Sequence, residues 1–328
     1  MEDSGLDNRI SSRQAGAWGF CALSVPAVLT CAGLGWGWAF LGCAAVCIYF
    51  YLTRQLAGGA VCLTKLTMQA FGMAAGRIIL ALGGTFALLA AAQTAAKAGL
   101  AFADETAGIA GPAVLALAVL ANETGARQAA RACGALFLLL AGLYTIILLA
   151  AAKSVEISWL SAWGGARQTL KVIPAMLVLS CLRFLPQEEG GKRGIWYLTL
   201  LFVPSMMAAI TAGCLSPRLT QQLELPFYTV SQSLSVLDVM ERFEPLVSAA
   251  LFMGFFAMTS LLLAASRAQW EAAIPASSAK KQSIVVLGAL ALGASLLTGH
   301  INENLWALGA AVCWGIWPLL TQLIVAIK

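Results

Sequence analysis

Residues 132–152, "ACGALFLLLAGLYTIILLAAA", run for twenty-one positions without a charged side chain. A helix of about 20 apolar residues spans the hydrocarbon core of a bilayer. The feature recurs along the chain. Apolar runs lie near 14–34, 36–53, 78–101, 108–121, 132–152, 172–187, 195–214, 245–266, 283–299 and 304–327. Ten segments of this kind predict an all-α integral membrane protein, residues 1–328 forming one polytopic domain. Composition agrees, with 60% hydrophobic and 11% charged residues, where soluble domains carry about 45–50% and 25%. The fourth and sixth runs are short for a full crossing. The first run is as long as a whole span, which argues for a helix rather than a cleaved signal peptide.

Charge distribution tests the count. With the N-terminal tail (1–12) inside and ten crossings, fourteen of the twenty lysines and arginines fall on the inner side. Only Lys97, Lys153, Arg167, Lys171, Arg218 and Arg242 fall outside. That bias is what the positive-inside rule expects, and removing one span would reverse every later loop. Both termini are therefore expected in the cytoplasm. Trp36, Trp38, Trp159, Trp163 and Trp306 fall at outer span ends and Trp196 and Trp270 at inner ones, as interfacial belts require. Trp18, Trp314 and Trp317 fall inside spans, where packing is their expected role.

Several function classes are excluded. The basic residues are scattered among apolar spans with no patch of interleaved aromatics, so nucleic acid is not expected as a partner. None of the nine cysteines forms a C-x-x-C pair, so no metal or cofactor is expected. No H-E-x-x-H, G-x-S-x-G or P-loop is present, and the chain is not read as an enzyme. No Asp or Glu lies in the middle of a span, and the one histidine, His300, falls in a predicted outer loop. Carboxylate-based proton coupling is accordingly disfavoured.

Ten spans divide into two sets of five, 14–152 and 172–327, and five is odd. The second set would then enter the membrane from the opposite side, giving the inverted repeat of many secondary transporters. In that architecture a ligand site forms where the first helix of each half is broken. "ALSVPAVLTCAGLG" carries Pro26 flanked by Ser24 and Thr30. "KVIPAMLVLSCLRFLPQ" carries Pro174 and Pro186 around Ser180 and Cys181. Each is either a ligand site, through backbone groups freed by proline, or an ordinary kink. Gln93 and Thr94 interrupt the alanine-rich third span and either line a cavity or bond between helices. Lys97, a turn later, is expected to snorkel to the headgroups. Thr259 and Ser260 in the eighth span either bond their own backbone or join the site. A small polar ligand between the first, third, sixth and eighth spans would touch Ser24, Pro26, Thr30, Gln93, Thr94, Ser180, Cys181 and Thr259.

Residues 229–243 read as an amphipathic helix lying in the outer interface. Ser231, Ser235, Asp238 and Arg242 share one face, with Val230, Leu234, Leu237 and Met240 on the other. Asp238 precedes Arg242 by four residues, the favourable order for an ion pair. Asp238, Arg242 and Glu244 are expected to anchor this helix and to gate the outer opening.

"LPFYTVSQSLSVLDVMERFEPLVSAALF" also resembles the signature of the spore germination permeases, the B subunits of nutrient germinant receptors. Pro226, Phe227, Arg242, Phe243 and Glu244 carry the likeness. "ISSRQAGAW", with Ser11 and Gln14, resembles that family's opening, "TGARQAARACGAL" its basic loop before the fifth span, and "VEISWLSA" the outer segment after it. Two features differ from the family pattern. "GLGWGWAF" has no acidic residue where the second span begins, and Ser24, Val25 and Pro26 stand where glycine is expected. The resemblance implies the amino acid–polyamine–organocation fold and residence in the spore inner membrane. It also implies A and C subunits as partners and a small nutrient germinant, such as an amino acid, as ligand. A secondary amino acid transporter of the same fold is the alternative.

Overall fold

In hydrocarbon a backbone amide finds no water, so a spanning segment must satisfy its polar groups internally, and the α-helix does so. The computed structural model describes residues 9–31, 35–56, 62–102, 108–161, 169–188, 194–223, 225–233, 244–274, 283–298 and 303–327. No strand occurs among them, only an isolated backbone bridge between Ile10 and Gln187. Residues 1–8, His300 and 234–243, with Asp238 and Arg242, lie outside the described residues; Glu244 is the first residue of a helix.

The first half contains α1 (Ser12–Pro26, continued by a π segment, Ala27–Cys31), α2 (Trp36–Leu56), α3 (Leu63–Ala101), α4 (Ala110–Asn122) and α5 (Ala126–Ala152). A 3-10 turn (Ile157–Ser161) follows. The second half contains α6 (Thr169–Leu177, continued by a 3-10 segment, Val178–Phe184), α7 (Gly194–Cys214), and the short α8 (Pro217–Gln222) and α9 (Pro226–Ser233). Then come α10 (Glu244–Ala273), α11 (Ser283–Thr298), α12 (Glu303–Ala310), a second π segment (Ala311–Ile316) and α13 (Trp317–Ile327). Each of the ten apolar runs falls on one of these helical stretches. Six are long and apolar enough to cross a membrane: 12–31, 36–56, 63–101, 126–152, 245–273 and 304–327.

The two short runs stay short for different reasons. α4 has 13 residues, a rise of roughly 20 Å. The sixth run changes winding instead. Nine α residues and seven 3-10 residues, at about 1.5 and 2.0 Å each, reach roughly 27 Å. That approaches the thickness of a hydrocarbon core, about 30 Å.

α1 and α10 are the centre of the bundle: 72% of the most apolar window of each is buried, against 22% for α5. The Trp18 indole donates to Ala257 O at 3.0 Å, tying the two together. Asn122 at the end of α4 donates to Ser260 Oγ (2.9 Å), and Arg267 donates back to Asn122 O (2.9 Å) while pairing with Glu271. α1 starts with a capping box. Ser11 Oγ accepts from Gln14 N and Gln14 Oε1 accepts from Ser11 N, which satisfies two amides at the helix start. Just before it, Ile10 N donates to Pro186 O and Glu188 N donates to Ile10 O, both at 3.0 Å. The start of α1 is thereby pinned to the end of the sixth apolar stretch.

α9 covers the first residues of the stretch read as an interfacial helix, whose remainder lies outside the described residues. Val230, assigned to the apolar face, is buried, and so is Ser231, assigned to the polar face, which gives its hydroxyl to Tyr228 O (2.6 Å).

Two glycines shape α3 and its partner. Gly72 (φ 79°) divides α3 into two helical parts at a kink, in a conformation that side chains disfavour. A Cβ on Gly111 would lie 2.6 Å from Ala95 O, so α4 reaches α3 at backbone distance. Gly111→Ala should therefore lower thermal stability by the equivalent of about 1–3 kcal/mol. Gly134→Ala, where a Cβ meets nothing within 4 Å, should leave stability unchanged or raise it. Thermal unfolding of the purified protein in detergent measures both, and equal effects would contradict the close packing of α4 on α3.

Candidate ligand site

Three helices depart from α winding, and all three departures meet at one place. α1 widens to a π turn directly after Pro26, α6 tightens to 3-10 four residues after Pro174, and the last helix carries its π turn just before Pro318. Proline lacks the amide that would close on the carbonyl four residues back and crowds that carbonyl with its ring. Thr30, Val178 and Trp314, one from each altered segment, line a common cavity of about 400 Å³. That volume lies within the ordinary range for small-molecule sites. α1, α3, α6 and α10 border it, and the last helix forms a fifth wall.

α3 supplies a stripe. Phe86, Ala90, Gln93, Thr94 and Lys97 recur at helical spacing and all line the cavity. Thr94 Oγ1 donates to Ala90 O at 2.8 Å. The Gln93 carboxamide, the Lys97 ammonium and the Thr30 hydroxyl make no hydrogen bond or ion pair to any described residue. Three unspent polar groups therefore face one cavity, whose remaining walls are mostly apolar. The apolar part is built on aromatic rings. Phe86 packs against Trp306 (centroids 5.7 Å apart) and edge-on against Trp314 (5.0 Å).

The residues singled out in the sequence divide evenly. Pro26, Thr30, Gln93 and Thr94 line the cavity; Ser24, Ser180, Cys181 and Thr259 do not. Ser24 turns inward and donates to Cys21 O (2.6 Å), in α1 where it packs against Gly254 of α10. Ser180 and Thr259 are fully buried, and their hydroxyls have no partner among the described residues. Cys181 is likewise buried as a free thiol. Thr259 thus does not bond its own helix, and Ser260 instead accepts from Asn122. Lys97, expected at the headgroups, lines the cavity, as do Lys171 at the start of α6 and Asn304 at the start of α12. Neither Trp306 nor Trp314 was singled out as a ligand contact. The available signal was "WGIWP", where Pro318 stands four residues after Trp314.

That spacing has a direct result. Pro318 cannot donate to Trp314 O, and the Tyr49 hydroxyl of α2 fills the vacancy. It lies 3.0 Å from Trp314 O and 2.9 Å from Gly315 O. Thr53 Oγ1 donates to Tyr49 O (2.8 Å), and Arg183, at the end of the 3-10 segment, donates to Thr53 O (3.3 Å). With its carboxamide turned so that oxygen faces donors and nitrogen faces the acceptor, Gln322 accepts from both terminal nitrogens of Arg183 and donates to Thr53 O. α2, α6 and the last helix are thus latched together at the end of the bundle away from Lys97. Trp314 belongs to both structures, with its ring on the cavity and its carbonyl in the latch.

Compared with known protein families and with curated proteins, the chain matches none.

Tyr49→Phe would leave the Trp314 carbonyl without its donor, and should destabilise the protein by about 1–3 kcal/mol. In a Pro318→Ala background, where residue 318 regains an amide for Trp314 O, the same change should cost clearly less. A double-mutant cycle on thermal stability measures the coupling; strict additivity would refute the proline-made vacancy.

Proposed function

We propose that this chain is the membrane subunit of a nutrient germinant receptor, binding a small germinant in the cavity between α1, α3, α6, α10 and the last helix. One observation carries the reading beyond the sequence resemblance: Thr30, Gln93 and Lys97 converge without protein partners where three helices leave α winding. A ligand gives those groups the bonds they lack. In the full reading the ten apolar stretches all cross the membrane as two inverted five-helix repeats, both tails lie inside, and the cavity opens outward. The chain resides in the spore inner membrane with A and C subunits.

A ligand shifts a conformational equilibrium only by binding one state better than the other. Here the difference is made at Trp314. Contact with its ring biases the π segment, and the segment's carbonyls are held by Tyr49. A change there reaches α2 directly and α6 through Thr53 and Arg183. The partner subunits would read that rearrangement at the inner end of the bundle. The same cavity would serve a secondary amino acid transporter, which differs in moving its ligand across. Uptake into proteoliposomes under an ion gradient separates the two.

Removing the chain should abolish the spore response to one germinant while leaving uptake by growing cells intact. Gln93→Leu, which keeps the side chain's bulk and removes its hydrogen-bonding groups, should shift the half-maximal germinant concentration up by about tenfold. Protein abundance in the spore membrane should not change. An unshifted response at normal abundance would remove Gln93, and with it this site, from the mechanism.

A further inference from the structure

The aromatic end of the cavity rests on a glycine that does not line it. Phe86 of α3 meets Trp306 with ring centroids 5.7 Å apart and Trp314 edge-on at 5.0 Å, and all three rings line the cavity. Against Phe86 lies Gly309 of α12, three residues after Trp306. A Cβ built on Gly309 would stand 2.5 Å from Cε2 and 2.9 Å from Cζ of Phe86. Carbon atoms pack at about 3.5–4.0 Å, so the ring takes the place that any side chain at 309 would need. Glycine inside a helix is less favourable than alanine. Here it makes room for a ring.

The ring has little freedom to yield among its neighbours. Trp314 is buried, and its carbonyl is held by Tyr49. The open space that Phe86 adjoins is the cavity. A methyl group at 309 would therefore push the ring into the cavity and shorten its aromatic end. The walls there decide what fits. The indole nitrogens of Trp306 and Trp314 are buried, so the rings present carbon. Aromatic carbon gains by covering apolar surface, whereas a polar group set against it gives up its bonds to water. We propose that the ligand carries a compact apolar body seated against Phe86, Trp306 and Trp314, and that Gly309 sets the largest body admitted. This rests on reading the cavity as the ligand site, and it holds whatever charged groups the ligand carries. Gly309 is a positioning residue, acting through Phe86.

Thermal unfolding of the purified full-length chain in detergent tests this, since a ligand of the native state raises its unfolding temperature. The probes are L-alanine, L-valine, L-leucine and L-phenylalanine, the carboxylic acids and the amines that carry the same four bodies, and L-serine, L-aspartate and L-lysine as polar bodies. In at least one series an apolar body should stabilise in a saturable manner and outdo the polar ones. Gly309→Ala should lower the affinity ratio of the largest to the smallest binding body by about tenfold, the scale of one methylene in an apolar pocket. Gly309→Ala combined with Phe86→Leu should restore that ratio, and Phe86→Leu alone, which adds no atom at 309, should raise it. Stabilisation by no probe, a preference for polar bodies, an unchanged size order in Gly309→Ala or in Phe86→Leu, or equal weakening of all bodies would each overturn the proposal. A probe whose affinity neither Gly309→Ala nor Gln93→Leu alters binds elsewhere, and the cavity reading would fall too. Sensitivity to Gln93→Leu with an unaltered size order would sink this inference alone. An altered size order without a germination defect on removal of the chain would sink the receptor reading alone.

Discussion

In a bilayer every backbone carbonyl that loses its amide must find another donor or a use. The unusual parts of this structure follow from that constraint. Three prolines sit beside the three places where winding changes, and those places surround one cavity. At Trp314 the repair is explicit. Pro318 withholds an amide, and a tyrosine from another helix supplies a hydroxyl in its place. A local defect in one helix thereby becomes a bond between two, and the ligand cavity comes to share a residue with the packing at the far end of the bundle.

Much of the architecture was legible because hydropathy reports burial in lipid directly. Each apolar run lies on helix where it is described, the sixth as an α segment continued by 3-10 turns. Pro26 and Pro174 pointed to the altered helices because proline acts on its own chain within one turn. Polar side chains were less legible, since a hydroxyl can always bond its own helix. Ser24 did so, Thr94 did so while still lining the cavity, and Ser180 and Thr259 did neither. Which way such a group faces depends on helix rotation, and that is set by packing between segments far apart in sequence. Lys97 is exposed and also lines the cavity, a position that the alanine-rich pattern around it does not foretell.

The first helix carries Ser24, Val25 and Pro26 and passes into a π turn directly after them. Its backbone stays wound there, so the free polar groups at the cavity come from side chains. Those without a partner among the described residues are the Thr30 hydroxyl, the Gln93 carboxamide and the Lys97 ammonium, on two helices, in a cavity that also holds the rings of Phe86, Trp306 and Trp314.

The bridge between Ile10 and the 186–188 segment has a consequence of its own. Both of its bonds are backbone to backbone, with residues 10 and 188 contributing the amides. The two bonds themselves need no particular side chain, but the Ile10 side chain beside them is fully buried in the core, so that position also answers to packing. The first and sixth apolar helices, each bearing one wall of the cavity, are thus joined main chain to main chain at one end, where a core side chain is anchored as well.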